Sequence, residues 1–167
     1  LSSKAQLPAV RRFELLFLRE IALHILAERS QQASDLRAMS RLIQDHVLGN
    51  EYRLRWLFRQ ANYSYFTSQY SQMETIARQA LALAENCQDQ SAIAQSLDLL
   101  GKALHGAGHD DQAIPFLKQA LPIYCFSGNQ KAESNIWQQL ALIYADASQY
   151  EIALEAVQSA TGLDRQL

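Results

Sequence analysis

The chain has little of what enzymes, membrane proteins and disulfide-stapled domains are made from. Two cysteines in 167 residues, with no CxxC spacing, make no disulfide framework, so a reducing compartment, and hence the cytoplasm, is expected. The apolar run Leu15-Leu16-Phe17-Leu18 is far short of the roughly 20 residues that cross a bilayer, so no membrane partner is expected. The net charge of −2 argues against the phosphate backbone of nucleic acids as the main ligand. GxxxxGKS/T, GxGxxG, HExxH and GxSxG are all absent, which removes the common phosphate-binding, metalloprotease and serine-hydrolase signatures. The chain opens on Leu1 with no basic segment, apolar stretch or small-residue cleavage site behind it. That reads as a piece of, or insert in, a longer protein.

What is present is a helical composition. A hydrophobic fraction of 49% against 19% charged residues excludes wholesale disorder, and this length folds as one globular unit or a short repeat array. Glutamine is abundant, at 19 residues, while Lys4, Lys102, Lys118 and Lys131 are the only lysines. Such a bias suits helical surfaces carrying few ion pairs. Charge is uneven along the chain. Residues 1–60 hold ten basic and six acidic side chains and residues 61–167 five and eleven, which gives +4 and −6. That asymmetry is suited to steering a partner, or a second copy, head to tail.

The sequence repeats itself. Leu100, Gly101, Leu104, Gly108, Asp110, Ala113, Leu117 and Ala120 stand forty residues before Leu140, Ala141, Tyr144, Ser148, Tyr150, Ala153, Val157 and Ala160. Forty residues earlier lie Ala61, Ser64, Ser68, Tyr70, Met73, Ala77 and Ala80. Gly49-Asn50 and Gly128-Asn129 mark turns close to two periods apart. Within a unit, Ile93, Leu97, Leu100, Leu104 and Ala107 form one helical stripe and Ala113, Leu117, Ala120 and Tyr124 a second. Gly101, Ala113 and Ala120 let the paired backbones approach. Gly106-Ala107-Gly108 ends the first helix, and His109-Asp110-Asp111 offers a cap and acids to the next. Pro115 is expected near that helix's first turn, and Pro122 is expected to kink or fray its last.

This pattern resembles the tetratricopeptide repeat over roughly residues 51–167. Trp137 stands four residues before Ala141, as the family's tryptophan stands before its small residue, and Tyr144 and Tyr150 fall where the family prefers aromatics. The forty-residue period is closer to the longer variant of kinesin-light-chain-like arrays and bacterial signalling proteins. The resemblance implies an all-α, right-handed solenoid of about four antiparallel hairpins, about eight helices, with repeats at about 51–90, 91–130 and 131–167. Residues 1–50 read as a divergent N-terminal hairpin that caps the stack or contacts an upstream domain. Pro8 opens a helix to about Arg29, and Ala33, Leu36, Ile43 and Val47 suggest a second to about Leu48. There Glu20-Ile21-x-x-His24 stands in the place of Leu100-Gly101-x-x-Leu104. Phe13, Leu15, Leu16, Phe17, Leu18, Ile21 and Leu23 surround the first helix, which is therefore expected to be buried on more than one side.

Candidate chemistry is thin. His105 and His109 have the spacing of helical metal ligands, with Asp110 and Asp111 nearby, but the intervening glycines are expected to break that face. Cys87 and Cys125 lack a partner and read as packed or half-exposed thiols. Glu14, Glu20, Glu28 and His24 are expected on a charged outer face. No cofactor, metal or catalytic set is expected.

Aromatics crowd residues 52–70: Tyr52, Trp56, Phe58, Tyr63, Tyr65, Phe66 and Tyr70. They supply either a core beneath the first hairpin or a binding surface. In the resembled family, one face of each first helix lines the groove where partners lie. Counted from the small residue, those positions are Arg55, Phe58, Asn62, Tyr65 and Phe66 in the second hairpin. The third gives Gln95, Asp98, Lys102 and His105, and the fourth Asn135, Gln138, Leu142 and Asp146. The positions where some members clamp a C-terminal carboxylate hold Phe58/Asn62, Asp98/Lys102 and Gln138/Leu142 here. That departs from the clamp, and Asp98 is placed to pair with Lys102. The expected function is a non-catalytic protein- or peptide-binding module of a larger signalling or regulatory protein. The alternative is a scaffold that packs on its parent or on a second copy.

Overall fold

The apolar stripes fold as helices throughout a computed structural model that describes residues 8–46 and 48–164. Among these residues are eight α-helices and no strand. The first hairpin is α1 (Ala9–Ile25) and α2 (Arg29–His46), and the second is α3 (Asn50–Phe66) and α4 (Tyr70–Asn86). The third is α5 (Gln90–Gly106) and α6 (Asp110–Ser127), and the fourth is α7 (Gln130–Asp146) and α8 (Tyr150–Asp164). The first helix thus stops at Ile25, short of the expected Arg29, which instead opens α2. Val47 lies outside the described residues.

One turn closes six of the helices. The N–H groups of Glu28, Gln69, Asp89, His109, Asn129 and Gln149 each reach back five residues to a carbonyl, at 2.8 to 3.0 Å. The residue before each has a positive φ: Ala27, Ser68, Gln88, Gly108, Gly128 and Ser148. Two are glycines, as the sequence suggests. The other four accept a left-handed conformation costing an L-residue about 1 kcal/mol. Asp89 and Asn129 then cap α5 and α7, accepting from the Ala92 and Ala132 N–H groups.

Helix α6 corrects the proline expectations. Pro115 lies in its second turn rather than its first, and the helix runs on past Pro122 to Ser127. Both prolines are exposed, whereas Ala113, Leu117, Ala120 and Tyr124 are buried on the inner face. Both rings and the residues four before them, Asp111 and Lys118, lie on the exposed side, so the lost backbone bonds are away from the packed face.

The core is three joined clusters. The first holds Phe13, Met39, Leu42 and Ile43; Trp56 also packs on the second, and Leu81, Ile93 and Phe116 are shared by the second and third. Gly101 makes room for the Leu117 side chain of α6, which a Cβ there would run into. α3 meets α5 and α5 meets α7, so the first helices lie side by side.

The first hairpin departs from the others by register and by chemistry. α1 and α3 start at residues 9 and 50, whereas α5 and α7 start at 90 and 130. The first step is therefore 41 residues, and Glu20, not Ile21, occupies the small-residue position of Ala61, Gly101 and Ala141. Glu20 is fully buried rather than on an outer face. Gln32, equally buried, stands in the place of Ala113 and donates to Glu20 Oε1 at 2.6 Å. Arg59 of α3 donates through Nε to Glu20 Oε2. The expectation that α1 is buried on more than one side also fails. Phe13 and Leu23 are buried, but Val10, Leu15, Leu18 and Ile25 are exposed.

Candidate functional site

The side chains at the expected groove positions have three different fates. Those nearest α1 are spent on structure. Arg55 donates to both Glu14 oxygens, at 2.5 and 2.8 Å, and lies 4.1 Å over the Phe17 ring. These hydrogen bonds hold the Glu14 carboxyl below its ordinary range and raise Arg55. Phe58 is a core side chain of the second cluster. It edges a pocket of about 320 Å³ with Arg55, Leu54, Gln95 and Asp89. Tyr52 packs edge-on against Phe13, and Trp56 donates Nε1–H to the Leu36 carbonyl at 2.9 Å. Tyr52 and Trp56 thus pack against the first-hairpin cluster, whereas Phe58 belongs to the core between the second and third hairpins.

The second set forms a polar floor. Lys102 donates to Asp98 at 2.7 Å, the pairing their spacing anticipates, and Gln139 of the next hairpin donates to the other Asp98 oxygen at 2.9 Å. His105 Nδ1 is 2.6 Å from Asp110 Oδ1. Asp98 therefore ties α5 to α7, and Asp110 ties the start of α6 back to α5.

The third set remains open. Tyr65 and Phe66, 40% and 51% exposed, form an edge-to-face pair whose ring centroids are 5.3 Å apart. Tyr70 continues the row, and a Cβ at Gly106 would strike its ring. Tyr65, Tyr70, Lys102, His105, Gln139 and Leu142 line a pocket of about 210 Å³ with Gly106 in its wall. An aromatic wall, an exposed Leu142, an amide and a paired ammonium suit an apolar or aromatic side chain whose backbone can bond to the amide. Asn62 and Gln95 are half-buried; Asn135, Gln138 and Asp146 are exposed. Gln138 is bonded to Ser134.

Two members of this pocket lie outside the expected groove positions, although Tyr70 is one of the aromatics the sequence singles out. Tyr70 opens α4, a second helix, and Gln139 lies beside the expected Gln138. Their meeting in one pocket carries no signal before α3, α5 and α7 are set side by side. The His105–His109 face does not form, because α5 ends at Gly106 and His109 is the residue before α6. Instead His105, Asp110 and Asp146 each offer an atom within 4.8 Å of one another. His105 and Asp110 are already bonded to each other. Cys87 and Cys125 are exposed free thiols, more open than expected.

At the rim, Phe66 meets the His24 ring edge-on at 4.6 Å and lies under the Arg29 guanidinium. Arg29 Nη1 donates to Gln32 at 2.8 Å and lies 3.3 Å from His24 Nδ1. Burial first, then the charges of Arg59 and Arg29, lower the His24 pKa, against an opposing pull from Glu20.

Among the described residues no helix is long and apolar enough to cross a membrane. A family model described as tetratricopeptide repeat matches residues 134–167. The fold is similar to the TPR domain of Arabidopsis FLU, with TM-score 0.66 and 16% identity over 71% of this chain and 100% of that one. It is also similar to the MamA RS-1 ArsTM double mutant, with TM-score 0.64 and 18% identity over 92% of this chain and 76% of that one. No curated protein matches the sequence.

Proposed function

From a last hairpin that matches the tetratricopeptide repeat and a TPR-like solenoid of helical hairpins, we propose a non-catalytic module that binds a protein or peptide segment along the first-helix face. TPR domains are in general protein–protein interaction modules, typically without catalytic activity. The observation that carries the reading here is the open row Tyr65–Phe66 beside the pocket floored by Lys102 and His105. These side chains sit in a fold that buries the neighbouring aromatics Tyr52, Trp56 and Phe58 at least in part. Exposed aromatics with polar groups around them are the usual energetic anchors of an interface. An extended or helical segment laid across α3, α5 and α7 places an apolar side chain against Tyr65 and Tyr70. Gln139 and Asn135 then meet its backbone, while the Asp98–Lys102 pair sets register rather than affinity. The reading extends to a cytoplasmic, signalling or regulatory parent protein.

Peptides selected from a random display library against this chain test it. Tyr65→Ala is expected to weaken their binding roughly thirtyfold, the equivalent of about 2 kcal/mol. Peptides that bind the variant as well as the parent chain contradict the reading.

A further inference from the structure

The first and last described helices, α1 and α8, expose apolar side chains at positions that the inner hairpins use for packing. On α1, Leu15 and Leu18 stand 41 residues before Trp56 and Arg59. Those are the side chains by which α3 grips the hairpin behind it, through the Leu36 carbonyl and Glu20. Leu18 is 62% exposed, and Leu15 is exposed beside it. On α8, Leu154 and Val157 stand 40 residues after Ile114 and Leu117, which pack in the cluster that joins the third and fourth hairpins. Leu117 has no exposure, whereas Val157 is 45% exposed and Tyr150 and Leu154 are open with it. α1 therefore presents the face that elsewhere looks back at a preceding hairpin, and α8 the face that elsewhere receives the next.

The charges around the two faces are opposite. Arg11, Arg12 and Arg19 lie four, three and four residues from Leu15, one helical turn away on either side. Arg19 stays largely exposed while it pairs with Asp35. The acids of α1 are engaged inside the chain, Glu14 by Arg55 and Glu20 by Arg59. On α8, Glu151 lies one turn before Leu154 and Glu155 is exposed close by, and no lysine or arginine occurs between Lys131 and Arg165.

We infer that α8 of one copy receives α1 of a second copy, head to tail, in the register by which hairpins stack within the chain. Because the joined surfaces differ, each added copy leaves a free end, and assembly passes beyond a dimer unless the rotation closes a ring. One helix face from each copy is a small interface, so the association is weak and concentration-dependent. Its attraction between unlike charges is screened by salt. The pocket around Lys102 belongs to α3, α4, α5 and α7, so self-association and peptide binding use separate surfaces.

Sedimentation velocity on the chain and two variants tests this. The parent chain is expected to gain mass with concentration at low ionic strength and to lose it as salt is added. Leu18→Asp blocks the head and Val157→Asp the tail; each alone stays monomeric. Their equimolar mixture forms a dimer and stops there, because it contains one working tail and one working head per pair. Both positions are exposed, so circular dichroism should be unchanged. A parent chain that stays monomeric at millimolar concentration overturns the inference. So does either folded variant associating as the parent does.

Discussion

Glu20 of α1, with no exposure to solvent, accepts a hydrogen bond from Arg59 of α3 at the position where the other three hairpins carry Ala61, Gly101 and Ala141. A carboxylate thus stands where the other hairpins keep a small residue, and a neighbouring hairpin supplies the charge that makes its burial tolerable. Removing one partner of a buried pair leaves the other uncompensated, at a cost of about 3–5 kcal/mol. Glu20→Ala is expected to destabilise by that amount in urea unfolding. Adding Arg59→Leu, which copies Leu99 of the third hairpin, should recover most of it. A double variant no more stable than the single one contradicts this account of the pair.

A Cβ on Gly101 would overlap the Leu117 side chain in the third hairpin. Gly101→Ala gains about 1 kcal/mol of helix propensity and loses about 1–3 kcal/mol to overpacking, a net destabilisation. Gly101→Leu, with more volume to place, should fail to give a cooperative melt. A melting temperature equal to that of the parent chain would show that Leu117 has room to move.

His24 has a folded pKa below its ordinary 6.5, so the unfolded chain binds its proton first as pH falls. The stability from its neutral form is present above 6.5 and is lost between 6.5 and the lower folded value. Glu14, held low by Arg55, acts later: its contribution is present above pH 4.5 and is lost as pH falls through a folded value below that. Melting temperature should therefore begin to fall on acidification below pH 6.5. His24→Asn should flatten that first step and spare the second. An unchanged first step would assign it to another group.

Trp56 and Tyr65 stand two and a half turns apart on α3 with different work. Trp56 packs on two of the three core clusters, whereas Tyr65 is 40% exposed. Trp56→Ala should cost about 3–5 kcal/mol, and Tyr65→Ala should leave thermal unfolding almost unchanged. A large drop for Tyr65→Ala would make it core and move the contact surface to Gln95, Lys102 and Gln138.

The forty-residue spacing of Gly101 and Ala141, and of Leu100 and Leu140, was enough to read eight helices in four hairpins, because small and apolar residues at fixed steps have one helical solution. It failed at α1 because Glu20 looks like a surface residue until Gln32 and Arg59 are seen to meet it. The left-handed turns at Ala27, Ser68, Gln88 and Ser148 carry no glycine and gave no signal. The aromatics of residues 52–70 divided between core and surface according to which helix packs over them, a property of the tertiary arrangement rather than of spacing along α3. The approach of Asp146 to within 4.8 Å of His105 and Asp110 brings together side chains of three helices and is invisible along the chain for the same reason.

Amide chemical-shift mapping with a selected peptide tests the central claim most directly. The binding account predicts shifts that cluster at Tyr65, Phe66, Lys102, His105, Gln139 and Leu142, and that are missing from Phe126 on α6 and from α8. Shifts confined to α8, or to the pocket between α2 and α4 around Arg37 and Gln72, would contradict it.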